Sequence, residues 1–444
     1  MPIQATMLKY SPKHISLAAA GLLLATSGAA AQPLLTLDEA VRIAMEQNRT
    51  IQLSRNDATI GSNNATAGNA GFLPRLDLAA GIVGGIFNTH QRLSSGDITQ
   101  RTGASSSTTT AGLTASWTVF DGFRMFNRDD QLNMQRDLAE LGYNYTREQV
   151  HANVVAAYFN VVAQQRALEV LGEGMKLSED RVRIAQTKYE AGNSAKQDLL
   201  QARVDLNSDR SAQMRQEVEL ANARTQLNVV LARPAGTEFS VADTIPLVPA
   251  LDYAELERKA IDENLQLSQL RLQIELARVD RRLVDAARYP KLAISLGYNF
   301  QQADNQASLI ASNRTIGPNY GVALSMNLFD GFNTNREAEN ADVEIASSRI
   351  AYADAEAKLK GDLTVAFANY RNRMNVVTLE RENLAIAREN LDLTLVRFNA
   401  GAIIPLQLRE AQTAYVAANG RLLTAEYEAK IAETNLLELS GAFR

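Results

Sequence analysis

Phe120-Asp121-Gly122-Phe123 occurs a second time as Phe329-Asp330-Gly331-Phe332, and much of what surrounds one copy surrounds the other. Upstream, Glu39, Asn48, Arg55, Pro74, Leu76 and Gly81 stand opposite Glu255, Asn264, Arg271, Pro290, Leu292 and Gly297, an offset of about 216 residues. From the tetrapeptides onward the offset is about 209, pairing Gly192 with Gly401, Leu199 with Leu408, Ala202 with Ala411 and Leu227 with Leu436. The chain is an internal duplication, with one structural repeat over residues 32–240 and another over 241–444. The offset changes between Gly81 and Phe120, where the Thr- and Ser-rich stretch 102–110 reads as a loop of variable length.

Each tetrapeptide follows two stretches that alternate with period two. Leu76, Leu78, Ala80 and Ile82 face one way against Asp77, Ala79 and Gly81; Leu292, Ile294, Leu296, Tyr298 and Phe300 repeat the pattern. Leu113, Ala115, Trp117, Val119 and Val322, Leu324, Met326, Leu328 do the same. The reading places four strands near residues 76–88, 112–120, 292–301 and 320–329.

The remainder is helical. No proline falls between Pro74 and Pro234 or between Pro318 and Pro405, so residues 123–191 and 332–400 each predict a helix of about 68 residues, about 100 Å long. Both carry two apolar heptad rows, Val161, Leu168, Met175, Val182, Tyr189 and Tyr370, Val377, Leu384, Leu391, Phe398 in the first. The second begins two positions on, at Val170, Leu177, Ile184, Ala191 and Leu379, Ile386, Leu393, Ala400, roughly 200° around the axis. Two nearly opposite seams suit a helix with neighbours on both flanks, as in a closed palisade; a broad core-facing stripe in a bundle is the alternative. Gly192 and Gly401 end these helices, and Ser194 and Pro405 suit the start of returning helices of about 36 residues. The segments at about 37–70 and 254–286 would stack on the returning helices to match the long ones in length. Residues 232–252, with Pro234, Gly236, Pro246 and Pro249, read as the linker between repeats.

Composition narrows the function. The 444 residues contain no cysteine and only three histidines, so there is no disulfide framework, thiol chemistry or plausible zinc site. No Gly-Lys-Ser/Thr phosphate loop and no Gly-x-Ser-x-Gly elbow occurs, so neither an enzyme nor a bound cofactor is expected. Lys9, Lys13 and His14 precede an apolar run ending Ala29-Ala30-Ala31, which reads as a secretory signal peptide, residues 1–31, cleaved before Gln32. Its removal takes the net charge from −5 to about −7, against nucleic-acid binding. No later run is long and apolar enough for a membrane helix, so contact with a bilayer would fall to the strands.

Four strands cannot close a barrel, and an open edge in lipid leaves backbone groups unsatisfied at several kcal/mol each. Chains must pool strands: two would give eight, three twelve, and only twelve would surround a useful water-filled lumen. Trp117, Phe120, Phe123, Phe329 and Phe332 would form an aromatic girdle at the periplasmic rim. Asp121 and Asp330 are expected as helix N-caps, with Gly122 and Gly331 permitting the sharp strand-to-helix change.

The chain resembles TolC-type outer-membrane efflux and export ducts over essentially its whole mature length. The resemblance is carried by Leu37-Asp38-Glu39-Ala40-Val41-Arg42-Ile43-Ala44 with Asn48, by Pro74-Arg75-Leu76, by both Phe-Asp-Gly-Phe copies, and by the tips Tyr189-Glu190-Ala191-Gly192 and Phe398-Asn399-Ala400-Gly401. It implies a mixed α/β membrane protein, mostly α: a homotrimer whose twelve-stranded barrel sits in outer-membrane lipid and continues as a long α-helical barrel through the periplasm. Such ducts are passive exits of tripartite efflux or type I secretion systems. A periplasmic adaptor, or membrane fusion protein, and an inner-membrane transporter of RND, ABC or MFS type serve them. Adaptor contact is expected at the tips, Gly192, Asn193, Ser194, Gly401, Ala402 and Ile403. In the family the tips close through polar contacts and acidic rings, which places Asp198, Glu410, Gln407 and Phe398 at the gate and lumen. Phe398 stands for a tyrosine, Ile403 for an arginine and Gln407 for an acid, so resting closure is expected to lean on apolar packing. A periplasmic coiled-coil scaffold is the runner-up, leaving the strands without a purpose; a diffusion porin, mostly strand, is third.

Overall fold

The computed structural model describes residues 34–248, 250–308 and 310–442; the expected signal peptide lies outside the described residues. A two-residue strand β1 (Leu34–Leu35) leads into helices α1 (Leu37–Gln47), α2 (Arg49–Asn64) and the single turn α3 (Ala67–Ala70). Strands β2 (Arg75–Arg92) and β3 (Ile98–Asp121) form a hairpin, and the helical hairpin α4 (Arg124–Glu190) and α5 (Lys196–Val230) follows. The linker contains a short strand, β4 (Ser240–Val241), which pairs in parallel with β1. The second repeat then supplies α6 (Tyr253–Glu263), α7 (Leu265–Asp285), β5 (Lys291–Asn305), β6 (Ser312–Ser325), α8 (Asn333–Asn399) and α9 (Pro405–Leu439).

The long helices are 67 residues each, as the proline spacing predicts, and the returning helices are 35. The expected helices at 37–70 and 254–286 are not continuous. Each breaks at an asparagine whose extended backbone cannot belong to either side, at ψ 128° for Asn48 and 123° for Asn264. The Asn48 carboxamide accepts from the N–H groups of Thr50 and Ile51, capping α2, and donates at 2.8 Å to the carbonyl of Val230, at the end of α5. Asn264 caps α7 and donates at 3.2 Å to Leu439, at the end of α9. These amides satisfy orphan groups of two helix ends at once and stack the half-length helices end to end.

The resulting columns run in the order α2 over α5, then α4, then α7 over α9, then α8. On α8 the first heptad row is inside, with Tyr370, Val377, Leu391 and Phe398 buried, while Leu379, Ile386 and Leu393 of the second are exposed. The core is thickest at the repeat junction, where Ala44, Val154, Val161, Leu227 and Phe239 pack with β4; each large apolar side chain there contributes about 1.5–3 kcal/mol. A smaller cluster repeats it around Leu256, Leu267, Leu363 and Leu436.

Among the described residues, one antiparallel sheet has the order β2-β3-β5-β6, with a continuous row Leu78, Leu113, Tyr298, Pro318. Two expectations change here. Residues 102–110 are not a loop but part of β3: threonine favours strands, and as a central strand β3 is held from both sides, Thr108 opposite Val83 and Ala303. The extra length of the first repeat thus lengthens its hairpin. The fourth strand does not run over 320–329 but over 312–325, because β5 begins at Lys291, opposite Ser325, and residues 326–329 have no strand partner among the described residues. β3 is carried on to Asp121 by its pairing with that same Lys291.

Candidate functional site

The strand-to-helix junctions repeat one backbone figure. Gly122 and Phe123 both adopt left-handed φ, 70° and 67°, as do Gly331 and Phe332, 69° and 63°. The glycine adopts this freely; the phenylalanine does so at a cost of about 1–2 kcal/mol. Formal cap positions therefore fall to Phe123 and Phe332, not to the aspartates. The aspartates still close the first turn from outside it. Asp121 Oδ1 accepts from the Met125 N–H at 3.1 Å, and Asp330 Oδ2 from that of Thr334 at 2.8 Å. The Thr334 hydroxyl and backbone bonds hold the Asp330 carboxyl below the usual carboxylate range. Around the first junction Phe120, Phe123, Phe126, Phe72 and Tyr289 pack edge to face, and Trp117 donates its indole N–H to the Phe72 carbonyl at 2.9 Å. Phe329 and Phe332 pair likewise at the second.

The hairpin tips, at the other end of the helices, are also near-copies. Gly192 and Gly401 share φ 73°; their N–H groups bond Tyr189 and Phe398 carbonyls, and those of Asn193 and Ala402 bond Lys188 and Arg397. This is the six-to-one closure that a left-handed glycine permits. Ser194 donates to Asp198 Oδ2 at 2.7 Å, so Asp198 braces its own turn. Gln407 and Glu410 are exposed, Ile403 is half-buried, and Asn193 and Ala402 are exposed on the turns. Phe398 is 4 % exposed: it lies between the hairpins, beside Leu391, Leu408, Leu177 and Ile184, with the Lys188 ammonium 5.0 Å from its ring centre.

Behind the tips the two hairpins are bolted by a polar network that the periodicity did not mark. Arg409 on α9 donates two bonds to Asp209 on α5, at 2.7 and 2.8 Å. Ser178 on α4 donates to the same carboxylate, and Arg181 donates at 2.7 Å to Asp205. Gln412, 2 % exposed, donates to the Gly174 carbonyl and the Ser178 hydroxyl and accepts from Arg181. Burial alone would raise the Asp205 carboxyl, but bonds from Arg181 and Gln201 and the charges of Arg181 and Arg409 outweigh it and hold the group low. Higher up, Arg166 and Arg381 share Glu426. One signal was available: Asp209 and Arg409 align with Ala418 and Leu200 of the other repeat, so charge appears where its counterpart is apolar.

Long paired helices that turn tightly at one end, and at the other pass into a sheet with one apolar face, are the anatomy of an outer-membrane channel. The profile of the outer membrane efflux protein family matches residues 40–233 and again 256–442, once per repeat. Outer membrane efflux protein BepC of Brucella suis is 22 % identical over 413 residues, 91 % of this chain and 85 % of that protein. Protein CyaE of Bordetella pertussis is 26 % identical over 271 residues, 58 % of this chain and 56 % of its own length. The crystal structure of the Campylobacter jejuni CmeC outer membrane channel superposes with a TM-score of 0.73 at 14 % identity, covering 91 % of this chain and 85 % of that one. The chain belongs to the outer membrane efflux protein family. It is a TolC-like efflux channel of the outer membrane with a periplasmic extension, in a non-enzymatic family.

Proposed function

We propose that three copies close into one passive duct, a twelve-stranded barrel continued by a ring of helical columns, which serves as the exit of a tripartite efflux or type I secretion system. The observation that carries this is a coincidence of open edges. Among the described residues β2 and β6 are unpaired on their outer sides, and the helical palisade ends on the same two flanks, at α2 over α5 and at α8. Apolar rows stand exposed on those flanks, Val204, Met214 and Val218 on α5 and Leu379, Ile386 and Leu393 on α8. One flank answers the other, so a head-to-tail ring satisfies both the backbone groups of the sheet and the heptad seams of the helices. Met326, Leu328 and Phe329 would gain a partner strand in the same step.

In this reading an adaptor engages the tips at Gly192, Asn193, Ser194, Gly401, Ala402 and Ile403, and the inner-membrane transporter supplies the energy. Asp198, Gln407 and Glu410 line the constriction. The Arg409–Asp209 pair and the Gln412 bonds to Gly174 and Ser178, with Phe398 between the hairpins, hold the two hairpins of each subunit together at rest, while Arg181–Asp205 ties α4 to α5 within the first.

Cross-linking in outer-membrane fractions tests the ring. The wild-type chain is expected in the membrane and to cross-link as a trimer, and Ile386→Glu with Leu393→Glu is expected to abolish that species. A wild-type chain that is monomeric and soluble sinks the reading.

A further inference from the structure

The face of the sheet opposite the apolar one has a composition of its own. Three successive cross-strand rows, from Ala79-Gly112-Asn299-Gly317 to Val83-Thr108-Ala303-Asn313, carry no charged side chain on that face. The charges Arg75, Asp77 and Lys291 lie toward its helical end, where Arg75 and Asp77 are paired at 2.8 Å. Within the neutral stretch, Thr108, Thr110, Gln301 and Thr315 offer hydroxyl and amide groups.

Two glycines shape this wall. A Cβ on Gly112 would stand 2.1 Å from Asn299 Oδ1, and one on Gly297 would stand 2.5 Å from Asn319 Oδ1. The two carboxamides therefore lie folded over neighbouring strands, and Asn299 Nδ2 donates to Asn319 Oδ1 at 2.8 Å. Both residues remain exposed, so amide donors and acceptors are left for a ligand. A third glycine carries an aromatic. The ring of Phe87 covers Gly85, with ring atoms 2.5 to 3.3 Å from a Cβ placed there, and Phe87 is still 56 % exposed. An open aromatic ring, then hydroxyls and amides without charge, then a flat amide ledge, is a surface suited to stacking and hydrogen bonding by neutral polyhydroxylated chains.

We propose that this inner wall is a track for uncharged oligosaccharide chains, with Phe87 as its stacking platform and Asn299 and Asn319 as its hydrogen-bonding ledge. The proposal rests on the duct reading, because it takes this face as the lumen. It assigns charge selection to the helical end of the channel and none to the middle of the sheet.

The test uses the full-length protein in planar bilayers, with maltohexaose added on the side of the β-hairpin turns. Wild type is expected to show reversible, concentration-dependent block that polyethylene glycol of the same hydrodynamic size does not produce. Asn299→Ala with Asn319→Ala is expected to shorten the block about threefold or more, the factor for one or two lost hydrogen bonds, and Phe87→Ala to shorten it likewise. Equal block by maltohexaose and the polymer, or unchanged block in both variants, overturns the proposal. The absence of native cysteine separates this from failure of the duct reading. In Asn299→Cys a water-soluble thiosulfonate should react, and in Tyr298→Cys it should not. Equal reaction at both positions would remove the lumen itself, whereas reaction at 299 alone without sugar block removes only the track.

Discussion

Arg409 grips both carboxylate oxygens of Asp209 across 200 residues of chain, joining the second helical hairpin to the first. Both side chains are about four-fifths buried, so the pair is not a screened surface contact. Arg409→Ala leaves the Asp209 carboxylate with Ser178 as its partner and is expected to cost about 1–3 kcal/mol of hairpin association. Single-channel recording checks it, with a raised open probability expected. A double-mutant cycle with Asp209→Ala should show coupling; strictly additive effects would refute the bolt.

Acid should loosen the neighbouring pair, but only strong acid. The folded Asp205 carboxyl is held below its ordinary value, so its contribution is complete above that value and is lost as pH falls through the lowered one. Conductance and thermal stability are therefore expected to be flat from neutral pH down to about pH 4 on this group's account and to change below it. Asp205→Asn should lower stability at neutral pH and remove its share of the acid response. A midpoint near pH 6 would assign the response to another group.

The two junction glycines should not tolerate alanine equally. At Gly122 a Cβ would meet the Ala286 carbonyl oxygen at 2.5 Å and Tyr289 Cβ at 2.6 Å, while at Gly331 the nearest atom is 3.9 Å away. Both substitutions carry the left-handed cost of about 1–2 kcal/mol. Gly122→Ala adds a backbone collision to it and is expected to destabilise by at least about 3 kcal/mol. Thermal unfolding of the two variants gives the ranking directly.

On the proposed reading that Asp198 and Glu410 line the constriction, replacing both with alanine is expected to raise conductance or weaken block by multivalent cations. Because Asp198 also braces its turn through Ser194, Asp198→Asn is the control that keeps the hydrogen bond and removes the charge. Unchanged currents in both variants would take these residues out of the gate.

The large helices were legible because proline is excluded from them and glycine ends them, both local rules. Residues 102–110 have the composition of a loop; what makes them strand is pairing on both sides with residues as far away as Ala303. The breaks at Asn48 and Asn264 escaped for a related reason. Each asparagine is needed where another helix ends, at Val230 and Leu439, and no local window contains both partners. At the tips the turn glycines could be named in advance. The burial of Phe398 depends on the register between two hairpins and could not, and the Arg409–Asp209 bolt left only the trace that each charge stands opposite an apolar residue of the other repeat.

The broken columns have a mechanical consequence. In each repeat an unbroken rod of 67 residues runs beside a column that is jointed at an asparagine. A load applied at the tips therefore meets two kinds of element: the rod must bend along its length, whereas a column is interrupted at one place, where the carboxamide bridge and the buried side chains of Leu227 and Leu436 keep the pieces in line. The joint thus behaves as a splice: it carries the push of the tips toward the sheet, some 100 Å away along the rod, without a continuous helix beneath it.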